Sequence, residues 1–162
     1  MLNWIVEFQS DRIIRVGVHG AFSEWVAVLS GVPQGSVLGP LLFLIFLNDL
    51  PDWVVNGISM FADDTKIWMG IYTVKDQESL QDDLDKLMSW SEEWLVKCNP
   101  EKCKLMRIGH GLQTEYEMKK NGKSHKPQVS HEEKDLGIYI ADNLKPGLQC
   151  TRLPRKLCRY WG

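Results

Sequence analysis

Apolar residues recur along this chain with two periods, and those periods divide it into elements. Residues 2–9, LNWIVEFQ, carry a helical apolar set at Leu2, Ile5 and Val6 with Trp4 and Phe8 beside it, and Ser10-Asp11 supplies an exit. Residues 13–19, IIRVGVH, alternate instead, with Ile14, Val16 and Val18 on one face and Ile13, Arg15, Gly17 and His19 on the other. Gly20-Ala21-Phe22-Ser23 turns the chain, and Trp25–Leu29 completes a hairpin. Ser30–Pro40, SGVPQGSVLGP, then packs three glycines and two prolines into eleven residues before an uninterrupted apolar run, Leu41–Leu47. This predicts a shaped loop opening a buried helix over 38–47, with Asn48-Asp49 as its polar exit and Asp49 a helix-end acid.

Ile58–Met69, ISMFADDTKIWM, predicts a β-hairpin with acids at its turn. Ile58, Met60 and Ala62 share a face before the acids, and Thr65, Ile67 and Met69 share one after them. A helix near Asp76–Lys97 follows, with Leu80, Leu84, Leu87, Ser91 and Trp94 as its apolar stripe and Gln81, Asp82, Asp85, Lys86, Glu92 and Glu93 facing outward. Asn99-Pro100 ends it, because proline biases its predecessor away from helical geometry. Lys102–Ile108 returns as a strand, Tyr116 and Met118 alternate, and Asn121-Gly122 signals a hairpin turn among Lys119, Lys120, Lys123 and Lys126. That basic loop suits contact with phosphates, and equally suits an exposed edge guarded by lysines.

The chemistry concentrates at Asp63-Asp64. A fold needing only a tight turn favours Asn-Gly or Asp-Gly there. Two neighbouring acids with no base before Lys66 repel each other, a cost most readily tolerated where a divalent cation screens it. A solvated turn is the plain alternative, because paired acids on turns are ordinary. In the Gly31–Pro40 loop, glycines permit close backbone approach and prolines fix the path. Ser36 also reads as the N-cap of the helix that follows.

SGVPQGSVLGPLLFLIFLNDLP followed by FADDTKIW resembles consecutive middle motifs of the reverse transcriptases of retrotransposons that lack long terminal repeats, nearest to jockey-like and chicken-repeat elements. The resemblance continues through LQDDLDKLMSWSEEWLVKCNPEKCKLMRIG and EKDLGIYI, and so covers most of residues 4–150. It implies an α+β fold: an incomplete polymerase palm, in which an antiparallel sheet with the catalytic hairpin packs on helices, plus the start of the thumb. Residues 1–110 correspond to a partial palm, 111–150 to a primer-grip-like hairpin and thumb start, and 151–162 to a divergent tail. The implied partners are an RNA template, a DNA primer and deoxynucleotides, and the implied cofactor is Mg²⁺, with Mn²⁺ as a substitute. Asp63 matches the principal metal ligand and Asp64 the accessory one, while Pro33, Gln34, Gly35 and Ser36 line the nucleotide and template side. Leu136 and Gly137 open the strand that grips the primer end. Lys102, with Lys104 as the other candidate, matches a lysine able to protonate departing pyrophosphate.

The family's first catalytic aspartate, in a short aromatic-flanked strand, finds no match and is expected before Met1; Asp11, between Ser10 and Arg12, does not stand in for it. Two-metal phosphoryl transfer holds its cations about 3.5–4 Å apart and needs carboxylates from two strands. Adjacent residues alternate sides in an extended chain, so Asp63 and Asp64 are poorly placed to chelate both ions alone.

Composition adds bounds. With 162 residues, 44% hydrophobic and 25% charged, the chain fits one globular domain. No apolar run approaches the roughly 20 residues of a membrane span, and MLNWIVEFQSDR lacks the marks of a secretory signal, so an intracellular site, cytoplasmic or nuclear, and no membrane partner are expected. Cys98, Cys103, Cys150 and Cys158 follow no zinc-ligand spacing and read as reduced thiols. The net charge of −2 conceals a split, with 3 basic against 10 acidic residues in 51–95 and 14 against 7 in 96–162. The basic part suits a phosphate backbone, and the acidic part suits metal ligands and a solvated helix.

The resulting expectation is a truncated RNA-directed DNA polymerase. Its rivals are a non-catalytic module derived from a mobile element that binds nucleic acid or protein, a translated relic, and a marginally folded chain. The polymerase reading predicts no primer extension by the isolated chain, checked by nucleotide incorporation on a primed RNA. Magnesium-dependent incorporation that disappears in Asp63→Asn would overturn it.

Overall fold

The computed structural model describes residues 2–109, 111–120 and 122–152. Most of the expected 151–162 tail, with Cys158, lies outside the described residues, as do Asn121 of the expected turn and the side chain of Leu2. Helix and strand are mixed in an α+β chain that gathers into two compact units. One runs up to Asp49 and includes Met60–Thr65; the other is Leu50–Ser59 with the chain from Lys66 onward.

In the first unit, α1 (Leu2–Gln9) closes where the Ser10 amide and hydroxyl both donate to the Val6 carbonyl, at 2.9 and 2.7 Å. The expected hairpin forms in two short ladders. Strand β1 (Ile13–Ile14) pairs with β4 (Val26–Ala27), and β2 (Gly17–Val18) pairs with β3 (Ala21–Phe22). Its turn is His19-Gly20, not the stretch from Gly20 to Ser23. Both turn residues have positive φ, +49° and +83°, as a two-residue loop matching strand twist requires. The strands are exposed on both faces, and the Arg15 guanidinium lies over the rings of Phe22 and Trp25, at 4.1 and 4.5 Å.

Helix α2 (Leu38–Phe46) forms as expected but is not buried. Leu41, Leu44 and Ile45 are more than half exposed, and Gly39 is the helix residue buried among those described. An apolar run has no single stripe to turn inward, so covering one side of it leaves the other wet.

A 3-10 turn, Leu50–Trp53, leads to β5 (Gly57–Phe61), which pairs with β6 (Asp64–Trp68) in the expected hairpin. Helix α3 spans Val74–Glu93, starting and ending before the expected 76–97. Thr73 and Asp76 form a reciprocal capping box at its start, and Leu95, with φ +55°, turns the chain left-handed just beyond its end. The expected stripe is only partly the buried face: Leu80 and Ser91 are buried, Leu84 and Leu87 half-buried, and Trp94 exposed. Met88, Trp90 and Asp83 complete the buried set.

Beyond a second 3-10 turn, Pro100–Lys102, strand β7 is only Lys104–Leu105. Strands β8 (Met118–Lys120) and β9 (Lys123–His125) form a hairpin across the expected turn, and β10 (Gln128–Val129) lies parallel to β7. Strands β11 (Glu132–Asp135) and β12 (Ile138–Ala141) form another hairpin before α4 (Gly147–Arg152). Among the described residues the ladders are all two-stranded, where the sequence suggested one antiparallel sheet.

The core of the second unit lies where α3 packs on β8 and on the 3-10 turn, with Leu50, Leu80, Met88, Trp90, Tyr116 and Met118 buried. Full burial of such side chains contributes about 1.5–3 kcal/mol each. Two glutamines one helical turn apart bind the extended segment before β8. Gln81 donates to the Glu117 carbonyl at 2.7 Å and accepts from its amide at 2.9 Å, and Gln77 donates to the Glu115 carbonyl at 3.0 Å. Gln81 therefore serves as a strand partner instead of facing solvent.

Asp83 is fully buried. Its carboxylate accepts from the Val55 amide (3.1 Å), the Asn56 amide (2.9 Å) and the Asn56 side chain (2.8 Å), and pairs with Lys86 at 3.2 Å. Burial alone would raise its pKa; the donors from Asn56, Val55 and Lys86 outweigh it and hold the group below the usual carboxylate value. A depressed folded pKa contributes stability that is complete above the unfolded value and is lost as pH falls through the folded one. Asp83→Ala is expected to lose about 3 kcal/mol in urea unfolding near neutral pH. The deficit relative to wild type should shrink below about pH 4, as protonation removes the same bonds from the parent.

Candidate nucleotidyl-transfer site

The Gly31–Pro40 loop is built by its own hydrogen bonds. The Pro33 carbonyl accepts from the Ser36 amide at 3.3 Å and from the Ser36 hydroxyl at 2.8 Å, closing a turn with Gln34 and Gly35 at its centre. Gly35 has φ +82°, which a side chain there would oppose. Ser36 Oγ also accepts from the Gly39 amide at 2.9 Å and so ties the loop to the first turn of α2, but the N-cap position falls to Val37 and not, as the sequence suggested, to Ser36. A Cβ on Gly39 would sit 2.9 Å from the Pro33 carbonyl oxygen and 3.0 Å from Ser36 Oγ, so the helix approaches its loop only because that residue is glycine. Pro33 and Ser36 are half-buried, while Gln34 and Gly35 are exposed at the corner. Upstream, the Arg12 guanidinium donates to the Gly31 carbonyl and, at 3.0 Å, to the Gln9 carbonyl. It ties the start of the loop to the end of α1.

At the hairpin tip, Ala62 and Asp63 form the turn and Asp64 is the first residue of β6. Both carboxylates are exposed. Ala62 has φ +53°, a left-handed backbone that costs an L-residue with a Cβ about 1–2 kcal/mol. Lys66, the first base after the acids, pairs with Asp135 at the end of β11. Among the described residues, no group of three or more His, Cys, Asp or Glu side chains gathers to hold a metal ion.

The tip and the Pro33–Ser36 loop belong to one compact unit; Lys102, Leu136 and Gly137 belong to the other. Lys102 is exposed and sits on the 3-10 turn, not on a strand, because Asn99 caps that turn and Pro100 opens it. Lys104, on β7, pairs with Glu133 at 2.7 Å. Leu136 and Gly137 also depart from expectation. They form the two-residue turn between β11 and β12, with φ of +45° and +89°, and the strand begins only at Ile138.

A family model described as reverse transcriptase (RNA-dependent DNA polymerase) matches residues 3–140. The chain belongs to the reverse transcriptase family. It is 36% identical over 108 residues, 61% of this chain and 12% of the relative, to the RNA-directed DNA polymerase from mobile element jockey of Drosophila melanogaster. It is 32% identical over 151 residues, 86% of this chain and 16% of the relative, to the polymerase of the same description from Drosophila funebris. A probable RNA-directed DNA polymerase from transposon BS of Drosophila melanogaster is 34% identical over 104 residues, 59% of this chain and 12% of that protein. The chain thus spans 12–16% of the length of these curated relatives. No solved structure gives a significant match. No helix among the described residues of this reverse transcriptase segment is long and apolar enough to cross a membrane.

Sequence reasoning missed Arg12 and Gly39 as supports of the loop. Gly39 was visible as the third glycine of the motif, whereas Arg12 reaches nineteen residues forward and leaves no local signal. Ala62→Gly is expected to stabilise the hairpin by about 1 kcal/mol, read as a higher urea midpoint at unchanged slope, because glycine takes this backbone without strain.

Proposed function

We propose that this chain is the central part of an RNA-directed DNA polymerase, in which Asp63 and Asp64 hold a divalent cation at the tip of β5–β6 and Pro33–Ser36 shape the nucleotide side. The observation that carries this reading is the shared unit: the carboxylate tip and the Pro33–Ser36 turn occupy one compact body although more than twenty residues separate them in sequence. The relatives' description as mobile-element polymerases supports it.

Two carboxylates suit Mg²⁺, a hard cation taking oxygen ligands, and fill only part of its octahedral shell. When bound, the metal would supply charge neutralisation on the transferring phosphoryl group and lower the pKa of the attacking hydroxyl. The chain's own residues position. Asp63 projects from the turn and Asp64 from the strand, so the pair presents oxygens on two sides of one backbone. The Gln34 corner offers an exposed amide beside a rigid turn, fitted to hydrogen-bond a base or sugar edge. In this reading residues 1–110 act as part of a palm and 111–150 as a primer-side hairpin leading towards a thumb. Leu136-Gly137 at its tip faces the primer end, and Lys102 donates a proton to pyrophosphate. The template is RNA, the primer DNA and the substrates deoxynucleotides.

Replacing the matching segment of a jockey-type polymerase with residues 3–140 of this chain is expected to give a chimera that extends a DNA primer on RNA with Mg²⁺. Asp63→Asn in that chimera should lower incorporation by about 10³-fold, roughly 4 kcal/mol of transition-state stabilisation, with little change in primer-template binding. A folded chimera whose activity survives Asp63→Asn would overturn the assignment.

A further inference from the structure

The hairpin β8–β9 gathers its bases on one face. Lys120 stands directly opposite Lys123 in the register, and Met118 stands opposite His125. Residues two apart in a strand share a face, so Met118, Lys120, Lys123 and His125 lie on the same side of the ladder. Met118 is buried where β8 packs on α3, and the three bases extend that side beyond the core. With Lys97 and Glu101, from the bend between α3 and β7, they line a groove of about 470 Å³.

Like charges directly opposite in a strand pair destabilise it, and here no carboxylate relieves them. The Lys120 ammonium donates to the Cys98 carbonyl, a neutral group that fixes its position without cancelling its charge. The side chains of Lys97, Lys123 and His125 make no hydrogen bond or ion pair among the described residues. Of the acids on the segment leading into β8, Glu115 is taken by Lys126 and Glu117 by the Ser124 hydroxyl. Glu101 is left as the acid of the groove, against three lysines.

We propose that this groove binds the sugar-phosphate backbone of a nucleic-acid strand, with Lys97, Lys120 and Lys123 as its phosphate contacts. Lys97 and Lys123 are exposed at the rim, while Lys120 and His125 are half-buried. Charge therefore runs along an open surface, a form suited to a long polyanion and not to a small ion enclosed on all sides. The surplus of 14 bases over 7 acids in residues 96–162 adds to the attraction. The hold is blind to base sequence, because ammonium groups meet phosphates and not base edges. It deepens the function proposed above by giving the second unit a grip on the strand, and it uses neither Asp63 nor Asp64.

The test titrates the full chain against labelled oligouridine and oligothymidine by fluorescence anisotropy over a range of KCl. It is run in EDTA and without deoxynucleotides, so its result is separate from that of the polymerase assay. Three phosphate contacts predict a slope of log K against log salt of about −2, with RNA and DNA held alike. Lys97→Gln and Lys123→Gln should each flatten the slope by about 0.7 and weaken binding about eightfold at 0.05 M KCl. Their urea midpoints should match the parent's, and Lys123→Arg should retain the parent's slope. Lys75→Gln, which removes an exposed charge from α3 outside the groove, should bind as the parent does. Tripolyphosphate at equal phosphate concentration should displace little of the strand. Unchanged binding in Lys97→Gln and Lys123→Gln, an equal loss in Lys75→Gln, or full displacement by tripolyphosphate would sink the proposal.

Discussion

The Asp83 carboxylate is the fixed point of the second unit. A buried charge without partners would cost several kcal/mol, and here each acceptor position is met by a donor from the chain segment that leads into β5. Asn56 is held by its amide and side chain to Asp83, and its side chain also reaches Ser79 Oγ at 3.1 Å. The next residue, Gly57, lies so close to the Trp68 indole that a Cβ would fall 2.5 Å from the ring. One helix acid therefore sets where β5 begins, and the absent side chain at Gly57 lets β6 return across it. Both strands of the acid-bearing hairpin inherit their base from that arrangement.

This anchor was illegible in the sequence, and the reason is physical. Asp83 falls in step with Leu80 and Leu87 on the apolar stripe, but an acid within the run Asp82, Asp83 and Asp85 is not assigned to a core, and its partners Val55 and Asn56 lie far away in sequence. The hairpin itself was legible because its alternation stands on both sides of the acids, and so was the shaped loop, whose Ser36, Gly35 and Pro33 act through contacts three residues apart or fewer. Helix α3 was found but misplaced: Thr73 and Asp76 carried a capping signal, whereas its end depends on Leu95 adopting a left-handed backbone that its side chain does not advertise. Leu136-Gly137 was read as strand from the resemblance of LGIYI to the strand that grips the primer end. Only the register of Asp135 opposite Ile138 reveals the turn.

The two units differ in how far they sustain themselves. Most of the buried apolar side chains belong to the second, around α3 and β8, while the first exposes Ile13, Ile14, Val16, Phe22, Trp25 and Val26. Short ladders with both faces wet are marginal alone, so opening there costs less free energy than opening the core around Trp90. What order the first unit keeps comes from point contacts: Arg12 on Gly31, Ser36 on Pro33 and Gly39, and Arg15 over two aromatic rings. Of these, the Arg12 and Ser36 contacts shape the Gly31–Pro40 loop.

The acid pair can be understood in the same terms. Repulsion between Asp63 and Asp64 is not relieved by the neighbouring base, because Lys66 is committed to Asp135. In the function proposed above, a hard divalent ion would balance that charge. The strained Ala62 backbone fits that account: a turn selected for stability alone would place glycine there, whereas this one tolerates a cost at the residue that aims the carboxylates. The Lys66–Asp135 pair then has a second consequence. It ties Lys66 of β6 to Asp135 at the end of β11, beside the Leu136-Gly137 turn.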